Sequence, residues 1–562
     1  MVEPRFRWIF PAPVERSPEF DAAARSRGLS PRLTDLLARR GVADAQELDA
    51  WFADPLDGLY DPALLPDADR LLDRLTLALR RFGVAVEPYV PSRLDEGHGL
   101  SSAAIETAIA TGCTVIVTVD CGTTSVAEIA AANERGLDVI VTDHHRVPAI
   151  LPDAVAVVNP HRADSVYPDA RLAGSGVAFK VAQLLLRDEP GGPAAALAFT
   201  DLATIGTVAD VAPIVGENRS IARLGLERLR AAPRPGISAL LERARVAPVA
   251  MDLETVSFAL APRLNAAGRV GEAMEAARLL LSGDAAEAAI HADALETSNA
   301  QRRDLMKSAV AEARLKVAEE PDAAATLVHG PWGVGIVGLV AARLAEDRGR
   351  AAVVGAEIGD TIRASCRSDG TMDLGAALEQ CGDLFTRFGG HAGAAGFELP
   401  ADRWEQFRAR FLDLAAATAP ADPRLSLAID VALPARAVDY ALFREFAGLA
   451  PAGPGNPDPL VAVLGLTVTR VRAATGGHTQ LTLRRERDVL DGIAFGRADL
   501  AETLHEGDIV DVVARLTSRT YGGYESLQLD IRDAALSGHH AESAAILALP
   551  RVAAPALSGV PA

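Results

Sequence analysis

The chain is short of cysteine. Its four residues, Cys113, Cys121, Cys366 and Cys381, are scattered through 562 positions without a CxxC pair. That excludes a disulfide framework and a cysteine-built zinc site, and it fits a reducing cytoplasm. Aromatic residues make up only 5%, so cores must be packed with Ala, Leu and Val, which a hydrophobic content of 49% permits. No run of about 18 or more apolar residues stands out, so no membrane span is expected. The opening MVEPRFRWIFPAPVERSPEF lacks the apolar core of a secretory leader. Excess positive charge is missing too. A net charge of −19 excludes a generic nucleic-acid coat protein. Binding to a polyanion would need local basic grooves and would weaken with salt.

What is present suggests about three to four domains. Residues 1–66 read as a helical lead-in, with SPRLTDLLARRGV and DAQELDAWFADP as amphipathic stretches. Over 67–285 strand and helix patterns alternate, as in a parallel α/β domain. VAVEPYV is expected to be a strand, SGVAFKVAQLLLR a helix and APRLNAAGRVGE a loop. The run LAFTDLATIGTVADVAPI is apolar throughout, with Asp210 near its far end; an acid embedded there needs a partner or a metal. Residues 286–324 are polar and almost free of helix breakers, and predict a connecting helix. A smaller α/β domain is expected over 325–415, with the strands ATLVHG and AAVVGA and a glycine-rich loop, FGGHAGAAG. Short alternating strands over 424–535 predict a small β-barrel. The Ala- and Pro-rich tail, 536–562, is expected to be loose.

Two strands carry the chemistry. VIVTVDCG runs into Asp120, and DVIVTDHH runs into Asp143, His144 and His145. Each is a β-branched apolar run delivering ionisable groups at its carboxyl end, and the Ala-rich helix between them completes a βαβ unit. Neighbouring strands lie ~4.8 Å apart, so both clusters would share the crevice where open α/β sheets bind ligands. Oxygen and imidazole donors there suit Mn²⁺, Mg²⁺ or Zn²⁺ and hydrolysis. Alone, an Asp after a strand is often a helix cap and paired histidines are often surface residues. Two such clusters one βαβ unit apart favour a metal site.

Further strings fall in the same order: VNPHR, GSGVAFK, GTVADVAPIVGENR, APRLNAAGR, WGVGIVGLVAARL, ASCRS, GGHAGAAG, GPGNPDP and SLQLDIRD. With VTVDCG and TDHH, they resemble the RecJ family of single-stranded-DNA-specific 5′-to-3′ exonucleases, in the DHH phosphoesterase superfamily. The resemblance implies a parallel-sheet DHH domain, a DHHA1 domain joined to it by a long helix, and a C-terminal OB-like barrel. It implies two divalent ions, Mn²⁺ or Mg²⁺, with Asp120 bridging them and His144 and Asp210 completing one shell. Asp143 would orient His144, and His145 would face the scissile phosphate. Arg93, Arg263, Asn265, Arg269, Ser365, Arg367 and His391 would hold the strand. In the barrel, Arg470, Arg472, Arg484, Arg485, Arg515, Arg519, Tyr521 and Tyr524 would supply a charged stacking face. A role in DNA recombination and repair, with a single-strand-binding protein and a helicase as partners, is also implied.

One element of the pattern is missing. The family has a further strand ahead of VTVDCG, ending in an Asp-x-Asp loop of the form DYDADG that supplies the remaining carboxylates. Here PDADRLLDRL and TLALRRFGVAVEPYVPSR run together, as an in-frame deletion would leave them. Asp67 and Asp69 form an Asp-x-Asp, but at a helix start after Pro66, where acids favour the macrodipole; they read as structural. The expectation is one ion with an incomplete shell, an unpaired sheet edge, and catalysis weakened or absent. The alternatives are an inactive single-strand-binding scaffold and, less favoured because of the barrel, a small-substrate DHH phosphodiesterase.

Overall fold

The computed structural model describes residues 2–540 except 83–85, 92–95, 97–98, 232, 369, 419–421, 423 and 522–523. Two compact units emerge: Met1–Asp49 with Arg424–Ala450 and Pro457–Ala562, and Ala50–Pro423 with Pro451–Asn456.

The larger unit holds two sheets. The first is parallel and three-stranded, in the order Val115–Val119, Asp138–Thr142, Ala156–Val158. β-branched residues buried on both faces explain its central strand: Val139, Ile140 and Val141 are fully buried. One face packs with Leu71, Val177 and Phe179, the other with Ile105, Ile129 and Ala132. The second sheet is mixed and five-stranded, in the order Thr326–Gly330, Ala352–Ile358, Thr361–Arg367, Ala394–Pro400, Arg387–Gly390. Between them runs the 34-residue helix Ala285–Ala318, started by Asp284, whose carboxylate accepts from Ala286 N and Glu287 N.

Several expectations change. APRLNAAGRVGE is not a loop: Ala261–Val270 is helical, following a π-turn at Val256–Leu260. The glycine-rich FGGHAGAAG is largely an antiparallel pair, Arg387–Gly390 on Ala394–Pro400. The run Gly192–Ala209 is long and apolar enough to cross a membrane by length and composition, contrary to the sequence reading. It forms two short helices, Gly192–Leu197 and Thr200–Ala209, whose Ala196, Ala203 and Ile205 are buried. Of VAVEPYV, residues 86–90 carry no strand and are exposed. A strand needs a neighbour's backbone groups, and residues 86–90 pair with none among the described residues.

In the smaller unit, Leu460–Ala474, His478–Arg485, Asp488–Ala494, Tyr524–Leu536 and Ile509–Tyr521 pair in that order, and the last pairs back to the first. This closes a five-stranded barrel. The Asp488–Ala494 strand was not foreseen, because DVLDGIA alternates poorly. The N-terminal stretch carries the helices Pro18–Ser26, Pro31–Arg39 and Ala45–Phe52, preceded by a short strand. Arg7–Ile9 pairs in parallel with Ser426–Ala428, and the Trp8 indole donates to Asp533 at 2.9 Å.

Candidate metal centre

The centre is built on the carboxyl ends of two neighbouring parallel strands. Val119 lies opposite Thr142 in the register, so Asp120 and Asp143 leave the sheet side by side. Asp120 turns out of the strand at φ +64°, a conformation Asp tolerates better than most residues. Its N–H still donates to Thr142 O at 2.9 Å. Gly122 follows at φ +108°, where a Cβ would stand 2.6 Å from Thr118 Oγ1, so only glycine lets the turn close over the strand.

Asp143 is the buried organiser, 2% exposed. Its Oδ2 accepts from Thr123 N at 3.0 Å, and its Oδ1 from His144 N at 2.8 Å and His145 N at 3.1 Å. Oδ1 also lies 2.7 Å from His145 Nδ1. The sequence reading had Asp143 orienting the ring of His144; it orients the ring of His145 instead. The carboxylate sits behind the backbone of both histidines, and only the His145 ring folds back to it. Burial pushes the Asp143 carboxyl up, but hydrogen bonds from His145 and Thr123 outweigh it and hold the group well below the usual carboxylate range. His145 is raised, chiefly by the bond to Asp143.

The His144 ring takes the opposite direction. Its Nε2 lies 3.0 Å from Asp120 Oδ1 and 3.8 Å from Asp210 Oδ2. Burial lowers its pKa, yet Asp120 and Asp210 together leave it raised. Asp210 is itself raised by burial, against the pull of His144. The buried Nε2 makes no well-aligned hydrogen bond. An imidazole nitrogen left orphaned between two carboxylates suits a cation, so the donor set fits a divalent metal. The tightest group of donor atoms is Asp120, His144 and His145, within 4.8 Å of one another among the described residues. Asp210 flanks that group through His144.

Small residues bring these parts together. At Gly174, the start of helix Gly174–Leu186, a Cβ would stand 2.4 Å from Asp120 Oδ1. The positive end of that helix therefore lies against the carboxylate. A Cβ on Gly206 would stand 2.4 Å from that of Ser175, so helix Thr200–Ala209, which ends at Asp210, approaches the same point. Asn159, which the sequence reading did not single out, is fully buried. It donates to Thr123 Oγ1 at 3.1 Å and to His145 O at 2.9 Å. The string VNPHR was its signal.

Asp67 is committed elsewhere. It accepts from Arg162 at 2.6 Å and from Val157 N at 3.0 Å, while Asp69 is exposed. Val115–Val119 is an edge of its sheet among the described residues, with Val117 40% and Val119 53% exposed.

The candidate strand-binding residues divide. Arg263 is tied to Glu296 of the long helix at 2.6 Å and to Ala259 O at 2.7 Å. Arg269 donates to Gly335 O at 3.1 Å, joining the two sheet domains, and Asn265 is exposed. Arg367 donates to Cys366 O at 2.7 Å, and Gly338 makes room for it and Ser365: a Cβ there would meet Arg367 at 3.2 Å and Ser365 Oγ at 3.3 Å. His391 is exposed. Arg93 lies outside the described residues. On the barrel, Arg470, Arg472, Arg484 and Arg519 are exposed, whereas Arg485 donates to Leu464 O and Arg515 pairs with Asp458 and Asp530. The side chains of Tyr521 and Tyr524 lie outside what is described.

A parallel-sheet domain presenting Asp120 and the Asp-His-His cluster, linked by one long helix to a smaller α/β domain, defines a DHH-type metal-dependent phosphoesterase. Residues 66–207 match the DHH family, N-terminal domain, residues 321–417 the DHHA1 domain and residues 429–533 the RecJ OB domain. The single-stranded-DNA-specific exonuclease RecJ of Bacillus subtilis is 31% identical, over 96% of this chain and 72% of its own length. That of Thermus thermophilus is 35% identical, over 88% and 74%. The crystal structure of RecJ in complex with Mn²⁺ from Thermus thermophilus superposes with a TM-score of 0.76 at 29% identity, covering 95% of this chain and 81% of that one. The chain belongs to the RecJ family of single-stranded-DNA-specific exonucleases.

Proposed function

We propose that this chain binds single-stranded DNA and one divalent cation, Mn²⁺ or Mg²⁺. Its 5′-to-3′ exonuclease turnover lies far below that of a site with the full set of carboxylates. The bare edge at Val115–Val119 carries the reading: the strand that would pair there is the one that brings the Asp-x-Asp loop. Asp120, His144 and Asp210 would hold the cation. When bound, it supplies Lewis-acid polarisation of the phosphodiester.

The chain's own groups do the rest. Asp143 fixes the His145 ring through Nδ1, leaving Nε2 to donate to a phosphate oxygen or a leaving group. Asn265, Arg269, Ser365, Arg367 and His391, with Arg93, grip the strand near its 5′ end. Arg470, Arg472 and Arg484 bind phosphates without regard to sequence. The setting is cytoplasmic DNA repair, beside a single-strand-binding protein and a helicase.

Titration calorimetry with Mn²⁺, paired with hydrolysis of 5′-phosphorylated single strands, tests the reading. One weak site with turnover far below that of a complete relative is expected. Two sites, or turnover at the relative's rate, would overturn it.

A further inference from the structure

The loop Pro451–Asn456 packs with the unit that holds the metal centre, although the chain on both sides of it belongs to the barrel unit. Ile214 N donates to Pro454 O at 2.6 Å. A Cβ on Gly453 would stand 2.5 Å from Ile214 Cγ1, and one on Gly455, at φ +74°, would stand 3.2 Å from Pro213 Cβ. Within the loop, Gly453 and Asn456 exchange backbone hydrogen bonds of 2.8 and 3.0 Å, and buried Asn456 donates from Nδ2 to Pro451 O at 3.0 Å. Ile214 is fully buried, in one core with Ile205, Ala222 and Leu226.

The loop grips the turn that follows Asp210. Asp210 ends its helix, and Val211 comes next at φ +61°. A β-branched residue in the left-handed region is strained and persists only where its surroundings over-determine it. Val211 is 67% exposed, so its own side chain does not hold it. The restraints come from the flanks. Ala212 N donates to Thr207 O at 3.1 Å, Asn218 Nδ2 to Pro213 O at 3.1 Å, and Ile214 N to Pro454 O.

We propose that Pro451–Asn456 is a latch on the Asp210–Val211 turn. Gly453 and the Pro454 carbonyl are then positioning elements that keep Asp210 beside His144. The proposal rests on the reading of Asp210 as a cation ligand.

Gly453→Ala in the full chain tests it, since the methyl group meets Ile214. Deuterium uptake in peptides spanning 210–215 should rise, with the helical core unchanged. Mn²⁺ affinity should fall about tenfold, the lower end of what losing an outer support costs a metal site. In an Asp210→Asn background the same change should alter affinity less than about twofold, because the effect passes through Asp210. Unchanged uptake, or an equal fall in both backgrounds, would overturn the latch. Should Gly453→Ala fail to fold, Asn456→Ala is read in the same way. If the parent or the Asp210→Asn chain binds no Mn²⁺, uptake alone decides: a rise confined to 210–215 supports the latch and no rise overturns it. A parent that binds no Mn²⁺ sinks the one-ion reading separately.

Discussion

The two sheets of the larger unit end their edges differently. In the five-stranded sheet, the outer strand Arg387–Gly390 carries Arg387, paired with Glu398 at 2.8 Å, so a charge guards the open ladder. Phe385 stacks on Phe397, which meets Phe407 at a tilt, and Ile362 and Leu399 are buried in the same core. In the three-stranded sheet, the outer strand Val115–Val119 has no charged residue and exposes Val117 and Val119. Among the described residues this edge is apolar and unguarded, the composition expected of an interior strand. Fold and chemistry therefore separate here. The parallel sheet holds together on three strands, whereas the proposed one-cation site would lack the carboxylates that a further strand end would bring.

The largest effect should come from repairing the difference. Inserting a β-branched strand with an Asp-x-Asp loop between Leu75 and Thr76 should raise hydrolysis of 5′-phosphorylated single strands by roughly 10³-fold, the scale of one preorganised electrostatic contribution. No gain from a folded insertion variant would break the contrast. Next, the sheets should differ in stability. Ile362→Ala should cost about 2–5 kcal/mol in urea unfolding, and Val117→Ala should stay within about 0.5 kcal/mol. Equal costs would mean the edge is not bare. Third, the barrel should bind strands independently of the metal centre. Replacing Arg470, Arg472 and Arg484 with Ala should flatten the slope of log affinity against log salt by about 0.7 for each phosphate left without its arginine. An unchanged slope would remove these arginines from the interface.

The strands that run into Asp120 and the Asp-His-His cluster were legible in the sequence because β-branched runs ending in acids and histidines signal their own geometry. The long helix was legible from its lack of breakers, and four barrel strands from their alternation. What escaped was decided by tertiary contact. The helix Ala261–Val270 hides behind Pro262 and Gly268. VAVEPYV reads as a strand locally, yet residues 86–90 join no ladder among the described residues. That Asp143 turns to His145 and not to His144 depends on side-chain direction, which spacing alone does not encode. The grip of Pro451–Asn456 on Ile214 spans more than two hundred residues and leaves no local trace.

The smallest expected effect separates the two histidines. A cation held at His144 Nε2 would need a neutral imidazole, so protons would compete with it there. Burial alone would favour the neutral ring, but Asp120 and Asp210 raise its pKa above the ordinary value. Mn²⁺ affinity should therefore climb with pH, by up to about tenfold per unit below the His144 pKa, and level off above it. Asp210→Asn removes one of the raising charges and should move that break to lower pH. Asp143→Asn should lower the His145 pKa instead, since that ring leans on Asp143. For folding without metal the signs differ. His145, raised, stabilises the fold below its unfolded value of about 6.5 and loses that contribution as pH rises through its folded value. Asp143, depressed, stabilises above about 3.9 and loses its contribution as pH falls. Between those limits the pair supports the fold fully, so apo stability should decline toward neutral pH while Mn²⁺ affinity still rises. Calorimetry and thermal unfolding over the same pH series would read the two slopes, and slopes of the same sign would refute the assignment of Asp143 to His145 and of the carboxylate pair to His144.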